Sequence, residues 1–196
     1  MKAFLLGTVV GALASWRWRD DIARYVPGAR LGRKTSPAKG GGDSVGNREV
    51  KVEKTILIDA PADRLYRLWR DLEHLPRFMS HLERVSVTSG NRSRWTVKAP
   101  AGTKVEWEAE IINEKPGELL AWQAVGNPLV DSAGAVRFER APDGRGTLVH
   151  VSLQYNPPGA AFGHAIAALF GEDAGRQIEE DLEAFKRRVE AGELAA

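Results

Sequence analysis

The sequence predicts an α+β domain in which an antiparallel sheet of about seven strands is covered by one long C-terminal helix, with two short helices after the first strand. Three observations carry that expectation. Period-two alternation of apolar and polar residues returns in segment after segment between residues 49 and 156. Turn signals containing Gly, Pro or Asn separate those segments at short intervals. A single apolar stripe at helical spacing then runs from Phe162 to Val189.

The first strand is read over Glu49–Asp59, where Val50, Val52, Ile56 and Ile58 share one side. A helix follows directly: Pro61 suits a first helical position, Asp63 suits the positive end of the helix dipole, and Leu65, Leu68, Trp69 and Leu72 recur at helical spacing. Pro76 interrupts a second short helical piece, DLEHLPRFM. After Met79, turns at Ser89-Gly90-Asn91, Pro100-Ala101-Gly102, Lys115-Pro116-Gly117, Gly126-Asn127-Pro128 and Pro142-Asp143-Gly144 divide the chain into strands. Such short connections imply antiparallel neighbours.

Alternation assigns one face to Trp95 and Val97, then Val105, Trp107, Ala109 and Ile111, then Leu120, Trp122 and Ala124. Val136 and Phe138, then Val149, Val151, Leu153 and Tyr155, continue it. The opposite face carries Arg94, Thr96, Lys98, Glu106, Glu108, Glu110, Arg137 and Glu139 and is expected to meet water. The last helix begins after Asn156-Pro157-Pro158-Gly159, with Phe162, Ile166, Phe170, Ala174, Ile178, Leu182, Phe185 and Val189 in one stripe. Only the apolar sheet face is large enough to cover that stripe, so the helix is expected to lie across the sheet.

With 196 residues, 43% hydrophobic and 28% charged, the chain can bury one ordinary core, which excludes pervasive disorder and a polytopic membrane protein. It has no Cys, hence no disulfide, thiolate metal site or cysteine nucleophile. The net charge of +2 hides an asymmetry: residues 1–54 hold 11 Lys/Arg against 5 Asp/Glu, and residues 55–196 hold 17 against 21. A basic leader on a mildly acidic body points to an anionic surface for the leader and gives a nucleic-acid-binding body no support.

Residues 1–26 form that leader. Ala3–Trp16 is an uncharged run of 14 residues between Lys2 and Arg17. As a helix it would reach about 21 Å at ~1.5 Å per residue, short of a hydrocarbon core of ~30 Å. Snorkelling of Lys2 and Arg17 and the interfacial preference of Trp16 and Trp18 extend its usable length. Three readings remain open: a membrane anchor or surface helix, which is favoured; a helix docked on the domain; and a cleaved signal ending at Ala12-Leu13-Ala14. An anchor with its positive charges behind the apolar run keeps the body cytoplasmic, at the inner face of the cell membrane. Residues 27–48, rich in Gly, Pro, Ser and Lys, read as a flexible linker, and residues 49–192 as the folded domain.

The stretches APADRLYRLWRDLEHLPRFMSHLERV, RWTVKAPAGTKVEWEAEI, PGELLAWQAVGN, GAVRFERAPDGRGTLVHVSLQYNPPG and LFGEDAGRQIEEDLEAFK resemble the SRPBCC (START-like) superfamily. The likeness is to its bacterial polyketide cyclase/dehydrase-type group, which is similar to the coenzyme Q-binding START proteins, and it covers Val50–Val189. This resemblance implies the helix-grip fold, with the sheet curved around the C-terminal helix and a cavity for a hydrophobic ligand between them. It does not fix the function, since such folds serve lipid carriers, quinone binders, cyclases and partner-binding proteins.

Residue chemistry narrows the choice. His74 and His81 lie seven apart across a proline, His150 falls on the solvent side of its strand, and none of the three shows metal-ligand spacing or carboxylate company in the sequence. His164, near the start of the long helix, has no identifiable partner. Glu106, Glu108 and Glu110 share an exposed strand face and read as solubilising charges. Neither a serine-nucleophile elbow nor an acid–base pair is legible, so no catalytic residue, metal or cofactor is expected.

Trp95, Trp107 and Trp122 take the inward face of three neighbouring strands, where indoles serve equally well to fill a core or to line a pocket. The function expected is therefore non-catalytic binding of a hydrophobic small molecule, a lipid, isoprenoid quinone or polyketide-like compound, near the membrane. Its wall is expected from Trp95, Val97, Trp107, Trp122, Phe138, Tyr155, Phe162 and Ile166. A cyclase/dehydrase-type enzyme using the same cavity, for which His164 and Tyr155 are the available ionisable groups, and a partner-binding module with a filled core are the alternatives.

Overall fold

The computed structural model of the chain describes residues 50–98, 102, 104–126, 131–156 and 174–194. The expected leader and linker, and Phe162, His164 and Ile166 of the long helix, lie outside the described residues.

Strand β1 spans Val50–Ile58, helix α1 Ala62–Arg70, and a 3-10 helix Leu72–Arg77. Six strands follow: β2 Leu82–Ser89, β3 Arg92–Lys98, β4 Lys104–Lys115, β5 Leu119–Val125, β6 Asp131–Arg140 and β7 Thr147–Asn156. Helix α2, described over Ala174–Glu190, closes the order. The seven strands form one curved antiparallel sheet in the order β1-β7-β6-β5-β4-β3-β2. The first two strands are thus its opposite edges, and α1 with the 3-10 helix carries the chain from one edge to the other.

The turn chemistry is where the sequence puts it. Gly90, Gly117, Gly126 and Gly144 all take positive φ, the region that costs glycine least. Gly146 is the tightest case: at φ +80° a Cβ there would lie 2.3 Å from the Ile58 carbonyl oxygen. That close approach lets β7 start flush against the end of β1, with Thr147 Oγ1 donating to the Ala60 carbonyl at 2.7 Å.

Cross-strand pairs Ile56↔Val149, Phe138↔Val149, Val136↔Val151 and Trp95↔Trp107 put the alternating apolar residues on one face. Leu182, Phe185 and Val189 of α2 are buried against that face, as the helical stripe requires. The parity breaks once within β4, where the register shifts between Ile111 and Asn113. The bulge turns Glu114 toward α1. There its Oε1 accepts from Arg70 Nε at 2.8 Å and from the Tyr66 hydroxyl.

The opposite face is less wet than alternation suggests. Thr96, His150 and Ser152 are all buried there. His150 in particular is not the exposed residue that its parity implies: its Nδ1 lies 2.9 Å from Thr55 Oγ1 on the neighbouring strand. The expected charges of β3 and β4 pair across the strands, Arg94 with Glu108 at 3.0 Å and Thr96 with Glu106 at 3.1 Å. Among the described residues no helix is long and apolar enough to cross a membrane.

Candidate functional site

The space between sheet and helix divides into a filled half and a hollow half. In the filled half Trp69 of α1 meets Phe185 of α2 edge-on at 5.4 Å, Phe78 lies 4.5 Å from Phe185, and Phe138 of β6 sits 6.3 Å from Trp69. Tyr66 adds an edge contact to Phe138 at 6.1 Å. Such edge and tilted contacts interdigitate and leave little room.

In the hollow half the rings lie parallel instead. Trp95 stacks on Trp107 with centroids 6.1 Å apart and planes 18° from parallel, and on Trp122 at 6.3 Å and 14°. The three indoles thus spend part of their faces on one another. Ser93, two residues back on the same face, is buried and accepts from Trp95 Nε1 at 2.9 Å, which satisfies that donor. Gly134 lies opposite Trp122 in the register, and a Cβ there would come within 2.5 Å of the ring. The missing side chain is what lets Trp122 lie against the sheet.

The result is a cavity of about 90 Å³. One wall is Trp95, Trp107, Trp122 and Val97; Val151 and Leu153 of β7 continue it, and Ile178 and Leu182 of α2 face it. Trp69, Met79 and Leu82 close the end toward the filled half. The lining is apolar except at three residues, His81, Ser132 and Asp181.

Of the eight expected lining residues, Trp95, Val97, Trp107 and Trp122 meet at this cavity. Phe138 and Tyr155 are buried elsewhere: Phe138 belongs to the aromatic cluster around Trp69, and Tyr155 packs with Val52 and Val105. Burial pushes the Tyr155 hydroxyl up to about 12. Phe162 and Ile166 lie outside the described residues.

Sequence reasoning missed the polar pair on the wall. His81, in the turn before β2, has Nδ1 2.8 Å from Asp181 Oδ2 of α2, a carboxylate partner exactly one hundred residues downstream. Asp181 Oδ1 accepts the Ser80 backbone N–H at 3.1 Å and Gln177 Nε2 at 3.2 Å. A signal was present: Asp181 stands three residues after Ile178 and four before Phe185, so a charge interrupts the apolar stripe on its buried side. Among the described residues no group of three His, Asp or Glu side chains could hold a metal ion.

Comparison with known proteins agrees with this architecture. The sequence profile of the family described as polyketide cyclase / dehydrase and lipid transport matches residues 49–190. A 17.2 kDa uncharacterized protein of Streptomyces lincolnensis is 32% identical over 143 residues, 71% of this chain and 89% of its own. A crystal structure from Deinococcus radiodurans is 40% identical, covering 73% of this chain and 98% of that one, with a TM-score of 0.61. A START superfamily protein from Mycobacterium smegmatis shares the fold at 15% identity, with a TM-score of 0.56 over 72% of this chain and 97% of its own.

Proposed function

The chain belongs to the polyketide cyclase/dehydrase and lipid transport family, and from that premise we propose that it holds a hydrophobic small molecule in the tryptophan-walled cavity. The observation that carries this reading is the hollow half itself. Packed interiors hold few voids larger than a water molecule, and a chamber walled by stacked indoles, Val151 and Leu153, with Ile178 and Leu182 opposite, suits apolar cargo. Its cargo class is a lipid, isoprenoid quinone or polyketide-like compound, bound without chemistry. Trp95, Val97, Trp107 and Trp122 are the contacts of this site; Phe162 and Ile166 complete the proposed lining from the N-terminal part of the long helix.

The domain occupies residues 49–192 in this reading, with the 1–26 leader holding it at the inner face of the cell membrane, where an apolar cargo is met. The Ala3–Trp16 run with its flanking Lys2, Arg17 and Trp18 supports that tether. A cyclase/dehydrase-type reaction in the same cavity is the second reading, favoured by the His81–Asp181 pair, which puts a proton-accepting group beside an apolar chamber. A partner-binding module with a filled core is disfavoured by the cavity.

Native mass spectrometry of the full chain from its own host, followed by organic extraction, tests the proposal. A stoichiometric apolar adduct supports it. An empty protein that is also not stabilised by a panel of lipids and quinone analogues overturns it.

A further inference from the structure

Asp181 presents a buried acceptor to the cavity that the protein leaves unused. Its side chain is only 7% exposed, and one of its two oxygens, Oδ1, takes both protein donors, the Ser80 N–H and Gln177 Nε2. Oδ2 and the nearby His81 Nδ1 are buried and lack a hydrogen bond of good geometry, although they lie 2.8 Å apart. Their contact is therefore one of proximity without alignment. A carboxylate oxygen removed from water without a donor is costly, and native structures resolve such orphans with a water, an ion or a ligand.

Asp181, the residue that carries this orphan, belongs to the wall of the tryptophan-lined cavity. Asp181 and His81 both line the apolar cavity, and their neighbours on the helix, Ile178 and Leu182, supply no side-chain donor. Gln177, the nearest amide, is committed to Ser80 Oγ at 3.1 Å as well as to Oδ1. A guest satisfies such an oxygen only with a group that donates a hydrogen bond to it.

We infer that Asp181 Oδ2, flanked by His81, is a polar anchor for the cargo, so that the cavity selects apolar molecules carrying a hydroxyl donor over wholly apolar ones. The inference rests on the cavity being the ligand site. The apolar walls supply affinity, and the anchor supplies orientation and discrimination: a site built to bond a hydroxyl rejects analogues that lack it, because its own buried group is then left unpaired.

The test is a cycle of affinities measured calorimetrically on the full chain with two probes of matched shape, 4-ethylphenol and 4-ethyltoluene, against the wild type and Asp181→Asn. Asparagine keeps an oxygen for the Ser80 and Gln177 donors but places an amide NH₂ where Oδ2 stood, which cannot accept from a hydroxyl. The preference for the phenol over the toluene is expected to fall about tenfold in the variant, the change that ~1.4 kcal/mol of coupling produces. An unchanged preference overturns the anchor while leaving the cavity reading intact. Absence of binding by both probes overturns the cavity reading and the anchor with it. Should Asp181→Asn not fold, the wild type alone decides. The phenol leaves water at greater cost, so an anchor requires it to bind at least as tightly as the toluene; weaker binding than the toluene refutes the anchor.

Discussion

Gly134→Ala is the substitution that most directly probes how the hollow half is held open. The backbone there is ordinary extended strand, so alanine meets no conformational penalty and should gain roughly 0.5–1 kcal/mol over glycine from chain entropy alone. Sterics oppose that gain. The new methyl would lie 2.5 Å from Trp122 Cζ2, 2.8 Å from Cε2 and 3.1 Å from Cη2, all on one rigid ring. The ring cannot retreat through the sheet, and Trp95, stacked 6.3 Å away, blocks one lateral escape. It must tilt into the cavity. Forcing one methyl into such a site costs typically ~1–3 kcal/mol, so the net expected loss is centred near ~1 kcal/mol and reaches at most about 2.5 kcal/mol, or roughly 3 °C in Tm at the centre for a domain of this size.

Two assays check the reasoning. Thermal melting reads the stability, and near-ultraviolet circular dichroism reads the stacked indoles, whose signal should weaken. Trp122→Phe removes the atoms that clash, so the double variant should recover most of the loss caused by Gly134→Ala on the Phe background. A Gly134→Ala protein as stable as the wild type with an unchanged aromatic spectrum would refute the claim that the missing side chain seats Trp122.

Three further outcomes are expected. Gly146→Ala, which combines φ +80° with a Cβ 2.3 Å from the Ile58 carbonyl oxygen, should destabilise by at least about 2 kcal/mol in denaturant titration, because no flexible side chain can give way. Burial, aided by Glu114, raises the Tyr66 hydroxyl to about 12, and burial raises Tyr155 likewise. Both favour the neutral folded form, so their stabilisation is complete below pH 10, the unfolded value, and is lost as pH rises from there through about 12; Tyr66→Phe should flatten that alkaline slope. Burial lowers His150, with Arg137 acting in the same direction and Glu139 opposing. The folded protein then resists protonation, so stability should fall as pH drops below 6.5, and His150→Asn should reduce this acid sensitivity while keeping an acceptor for Thr55.

The strands were legible because period-two alternation and turn residues are local properties; β2, whose register shifts twice, is marked by its flanking turn rather than by alternation. Trp95, Trp107 and Trp122 share a face for the same reason. What alternation cannot convey is how far a ring extends from that face. Phe138 and Trp122 have the same parity, yet one meets Trp69 edge-on in the filled half and the other lies against Gly134 beside the cavity. The difference arises from partners brought together from distant parts of the chain. The bulge at Ile111–Asn113 is a second such case, since nothing in the alternation marks the residue at which β4 changes side.

Asp181 makes the complementary point about the helix. Its neighbours Ile178, Leu182 and Phe185 require that side of α2 to be buried, so a carboxylate at this position must lose most of its hydration when the helix docks. Charge in such a place is retained only where something on the facing surface compensates it. The Ser80 backbone does so from the facing surface for one oxygen, with Gln177 of α2 itself as a second donor. The other oxygen, beside His81, is buried without a well-aligned donor, on a residue that lines the space beside the indoles. In the proposed reading the indole stack and the buried acid are therefore two halves of one arrangement: the stack would give the cargo its apolar surface, and the acid would add discrimination that shape alone does not supply.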